Sequence, residues 1–67
     1  MHEIYFLMES NEKGFAGDIF YTKCKSLKEA ESMAKRSTMK SAEACKLSDF
    51  PEEEHENILD ALSSIRQ

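Results

Sequence analysis

Cysteine, glycine and proline are all scarce in this sequence: two, two and one among 67 residues. Two cysteines, Cys24 and Cys45, are too few for a disulfide-stapled scaffold. The two glycines fall together in Gly14-Phe15-Ala16-Gly17. No Lys-Ser/Thr pair follows them at phosphate-loop spacing and no helix begins there, so a nucleotide-binding loop is excluded. Long hydrophobic runs are also missing, and nothing approaches the ~20 apolar residues that cross a bilayer. Ile4-Tyr5-Phe6-Leu7-Met8 is too short for the apolar core of a signal peptide, and no basic segment precedes it. These absences lead to the expectation of a soluble cytoplasmic protein with reduced thiols and no membrane partner.

Size narrows the field further. A chain of 67 residues makes one domain, residues 1–67. Such a domain buries only about 60% of the surface its unfolded chain exposes. A substrate cavity of the usual few hundred Å³ would consume much of that core. A self-contained enzyme is therefore disfavoured, and a dimer or a protein completed by a partner is favoured.

The net charge of −4 is unevenly placed. Residues 1–22 carry −3, residues 23–47 carry +4 and residues 48–67 carry −5. A basic middle beside an acidic tail is the ordinary mixed surface of a soluble protein. It also leaves room for a basic face toward nucleic acid or an acidic face toward a basic partner.

The clearest local signal is Ser26-Leu27-Lys28-Glu29. Ser26 with Glu29 three residues on is a capping box. Leu27, Ala30 and Ala34 then recur at helical spacing with Met33 beside them. This predicts a helix from about Leu27 to Met39. Before it, His2 to Glu9 reads as a strand with Ile4, Phe6 and Met8 facing inward. Ser10 to Gly14 reads as a hairpin loop, and Phe15 to Lys25 as a second strand with a bulge at Gly17. Pairing Glu9 with Phe15 sets Leu7 against Gly17, Tyr5 against Ile19 and Glu3 against Tyr21. The same register sets Phe6 against Asp18, a poor match for a core.

After the helix, Ala42 to Leu47 alternates like a short third strand, which the hairpin needs for independent stability, although its Ala and Glu residues suit a helix better. A tail helix follows from about Phe50 to Ile65. Asp49 is placed to cap it, and Pro51 is tolerated in its first turn. Glu52, Glu53 and Glu54 favour its positive end, and Arg66 its negative end. Ile58, Leu62 and Ile65 form its apolar stripe. The expected fold is α+β, a small antiparallel sheet with two helices in the order ββαβα.

No constellation of acid, base and nucleophile can be named, so no catalytic residue and no cofactor are assigned. His2, Cys24, Cys45 and His55 have the residue types of a zinc site without its spacing. The two thiols read instead as small core hydrophobes, and His55 as a flank of the buried stripe. The run Glu52-Glu53-Glu54 with Glu56 is explained by the helix dipole.

Two surfaces remain. The assumed register gathers Tyr5, Leu7, Ile19 and Tyr21 on one sheet face, as a protein-binding or dimer-forming patch. The alternative is nucleic-acid binding through Lys23, Lys25, Lys28, Lys35 and Arg36, led by Tyr21. The leading expectation is a non-catalytic module that binds, and regulates or inhibits, another protein or itself. Short acidic chains of this kind occur among phage and mobile-element accessory proteins, an analogy of size and composition alone. Protein purified without chelator is expected to carry no stoichiometric zinc. Retained zinc in metal analysis would refute the assignment of both thiols as unliganded.

Overall fold

The computed structural model describes residues 3–63. It contains three strands, β1 (Tyr5–Ser10), β2 (Ile19–Cys24) and β3 (Ser41–Lys46), and two helices, α1 (Leu27–Arg36) and α2 (Glu52–Ser63). The strands form one antiparallel sheet in the order β2-β1-β3. The fold is α+β with element order ββαβα, as the sequence patterns predict. The chain leaves one sheet edge at β2, passes through α1 and returns on the other edge at β3. No helix among the described residues is long and apolar enough to cross a membrane.

β1 is apolar on both faces because both faces are covered. Phe6 on one side joins Cys45, Ile58 and Leu62 in a buried cluster under α2, with Ile4, Met8, Tyr21, Leu47 and Phe50 around it. Leu7 on the other side joins Cys24 and Ala30 under α1, with Tyr5, Met33, Ala34, Ala42 and Ala44. One sheet thus lies between two helices.

Each helix starts where its local chemistry dictates. Ser26 Oγ accepts the Glu29 backbone N–H at 3.1 Å, the N-cap bond. The Glu29 carboxylate reaches back one residue beyond the usual capping box and accepts the Lys25 N–H at 2.6 Å. The helix ends at Arg36 rather than Met39. Ser37 turns out into extended backbone, and its hydroxyl donates to Glu9 Oε2 at 2.6 Å while accepting the Met39 N–H. The α1 exit is thereby tied to β1. Asp49 lies in a 3-10 turn, Leu47–Asp49, and α2 begins at Glu52 after Pro51. The expected positions Ile65 and Arg66 lie outside the described residues.

The hairpin register differs from expectation. Glu9 is opposite Phe20 instead of Phe15, a slip of five residues. Residues 11–18 form a longer connection containing a 3-10 turn, Lys13–Phe15. Gly14 and Phe15 both take positive φ, +67° and +57°. Serines on two paired strands hold this connection. Ser10, opposite Ser41 in the sheet, accepts the Glu12 N–H. Ser41 Oγ donates to the Glu12 carbonyl at 2.7 Å and accepts the Phe15 N–H at 3.3 Å. Gly17 lies in this connection and not in a strand bulge. A Cβ there would come within 2.6 Å of Glu12 Cγ.

Replacing Ser26 by Ala is expected to cost about 1 kcal/mol through loss of the N-cap bond. Equilibrium denaturation unchanged by the substitution would show that this bond does not start α1.

Candidate functional surface

The register decides what the sheet can present. A slip by an odd number of residues reverses faces, so the four patch residues do not come together. Tyr5 and Leu7 face α1, whereas Ile19 and Tyr21 are opposite Ser10 and Met8 and therefore face α2. None of the four is exposed. Tyr21 packs edge-on against Phe6, ring centroids 5.6 Å apart and planes at 67°. Burial, then the Glu54 carboxylate and Cys45, hold its phenol above the usual tyrosine range.

The basic residues are divided as well. Lys28, Lys35 and Arg36 are exposed on α1, interspersed with exposed Glu29 and Glu31. Lys23 is opposite Phe6 and so lies on the α2 side of the sheet. Lys25 sits in the bend between β2 and α1. On the opposite side, α2 exposes Glu52, Glu53, Glu56 and Asp60. The sheet therefore separates a mixed, partly basic helix from an acidic one.

Both cysteines are buried and free, and they lie in different clusters on opposite faces of the sheet. Cys24 Sγ contacts the Thr22 carbonyl and Met33 Sδ. Its thiol is pushed up by burial and by the Glu29 charge. Cys45 is pushed up to about 11 by burial, with Glu43 and Asp49 adding to the effect. Both shifts favour the neutral thiol over the nucleophilic thiolate. His55 Nε2 lies 2.8 Å from the Phe50 carbonyl oxygen, a bond that closes the entry to α2. His2 lies outside the described residues. Among the described residues no group of three or more His, Cys, Asp or Glu is placed to hold a metal ion.

What the molecule leaves open lies along β2. This strand is at one edge of the sheet. α1 packs over β3 and β1 and touches β2 least, whereas α2 lies nearest β2 on the other face. Phe20, on the face that α1 leaves bare at this margin, is 45% exposed. Leu59 is 39% exposed and shares a groove of about 270 Å³ with Lys23, Ile4, Leu62 and Ser63. These are the large apolar side chains left exposed among the described residues; Phe20 lies on the α1 side of β2, and Leu59 lies on the α2 side beside Lys23 of the same strand. The composition of Ile19-Phe20-Tyr21-Thr22 marks a strong strand but does not show which strand becomes the edge.

No family model, curated protein or solved structure matches the chain.

Since Tyr21 packs into the α2 cluster, Tyr21→Ser should destabilise the fold by about 2 kcal/mol, combining lost burial with the lost ring contact. Urea denaturation measures this. An unchanged midpoint would mean that the Phe6–Tyr21 contact contributes nothing.

Proposed function

We propose that this chain is a non-catalytic interaction module that binds another protein, or a copy of itself, through the outer edge of β2, and so regulates or inhibits what it binds. The observation that carries this is that the two large apolar side chains exposed among the described residues, Phe20 and Leu59, lie on or beside β2, an edge strand. An edge strand presents unpaired backbone donors and acceptors, and an added strand supplies affinity through them while side-chain pockets supply selectivity. Natural edges are usually blunted by charge or cover. β3 carries Glu43 and Lys46 and lies beneath α1, whereas β2 carries a single charge, Lys23, and is little covered by α1.

The state of the thiols adds support. Buried neutral cysteines suit a structural role in a reducing compartment, consistent with work in the cytoplasm. Small size and acidity fit an accessory protein of a phage or mobile element, again by analogy alone. Nucleic-acid binding has less support, because Lys23 and the trio Lys28, Lys35 and Arg36 lie on different sides of the sheet.

Capture from the native cell, with and without nuclease, tests the proposal. Capture of a protein that survives nuclease and is lost with Phe20→Asp is the expected result. Capture unaffected by Phe20→Asp would refute binding at this edge. Capture abolished by nuclease and falling steeply with salt would point to phosphate contacts instead.

A further inference from the structure

The connection between β1 and β2 does not take the short way between neighbouring strands. It leaves β1 at Ser10, and its 3-10 turn, Lys13–Phe15, packs chiefly against β1 and β3. The chain then returns to Ile19 on the opposite edge of the sheet. Residues 11–18 are therefore a strap across one end of the sheet, fastened on the far side from the strand they lead to. Two serines make the fastening. Ser10 and Ser41 are 0% and 8% exposed. Ser41 Oγ holds the strap at two points, donating to the Glu12 carbonyl at 2.7 Å and accepting the Phe15 N–H at 3.3 Å. Ser10 Oγ accepts the Glu12 N–H at 3.1 Å.

Apolar packing adds little to these bonds. No residue of the 3-10 turn is buried, and neither buried cluster includes any of residues 11–18. Phe15 meanwhile takes φ +57°. A bulky residue in the left-handed region meets a steric cost of the same order as the net gain from one hydrogen bond. A segment with few buried contacts, and with strain opposing its bonds, belongs to the low-stability end of a fold. We propose that residues 11–18 open as a unit while the sheet stays folded, with the Ser41 hydroxyl as the latch. Opening lets water replace the partners of Ser10 and Ser41 and leaves the clusters around Phe6 and Leu7 intact. The device lies at the Ser41 end of the sheet and works with or without a partner at β2.

Amide hydrogen exchange on the full chain, read residue by residue at increasing low concentrations of urea, tests this. Exchange at Glu12 and Phe15 should barely change with urea, because local opening exposes little surface. Exchange at Phe6 and Leu7 should rise steeply, because it requires the sheet to unfold. Ser41→Ala should speed exchange at Glu12, whose own acceptor is Ser10, about tenfold. Phe15→Asn should slow it, since asparagine enters the left-handed region more readily. Exchange at Glu12 and Phe15 that rises with urea as steeply as at Phe6 and Leu7 would overturn independent opening. A Ser41→Ala chain that fails to fold would overturn it too, by showing that the sheet depends on the strap. Glu12 exchange unmoved by Ser41→Ala would overturn Ser41 as the latch. Faster exchange in Phe15→Asn would overturn the role given to strain.

Discussion

Phe6 and Leu7, adjacent on the central strand, are both buried, and they must be covered from opposite sides. Most of the fold serves that requirement. Phe6 meets Tyr21 and Phe50 at ring centroid distances of 5.6 and 5.7 Å and is closed over by Ile58 and Leu62. Leu7 is closed over by Ala30, whose small side chain lets the α1 backbone approach the sheet. A domain of this length has roughly 3–10 kcal/mol of stability, and truncating a buried Phe typically costs about 3–5 kcal/mol. Phe6 alone therefore commands a large share of what holds the chain folded.

Covering both faces of a three-stranded sheet with two short helices leaves little to spare. A helix is about 10 Å across and strands lie about 4.8 Å apart, so α1, seated over β3 and β1, shields those two on its face and the third poorly. α1 sits toward β3, and its exit is tied to β1 through Ser37 and Glu9. On the α1 face the undercovered strand is β2. An open edge, an exposed Phe20 and a groove beside Leu59 are thus consequences of how the core is built, and they coincide where a partner strand could bind.

Several features were legible before any coordinates. The capping box at Ser26 locates α1 because the cap bond is made within three residues of sequence. The alternation of Ala42 to Leu47 marks β3, and the spacing of Ile58 and Leu62 marks the buried face of α2. The patch of Tyr5, Leu7, Ile19 and Tyr21 was misplaced for a single reason, the hairpin register. A compact loop ending at Gly14 is the local solution. The chain instead uses a longer connection, held by hydroxyls that include Ser41, about thirty residues away. That bond exists only once β3 has paired with β1.

Local composition and periodicity determined the kinds of elements, their order and the α+β class, because those depend on interactions between residues a few positions apart. The tertiary structure decided the register of β2, and with it which residues share a face, because an odd slip exchanges every inward side chain for an outward one. It also decided which strand forms the open edge, since strand order β2-β1-β3 follows from long-range pairing that no single segment encodes. Phe20 carried no local mark distinguishing it from its apolar neighbours. Its exposure arises from the offset of α1 toward the far side of the sheet, a property of packing and not of the strand itself.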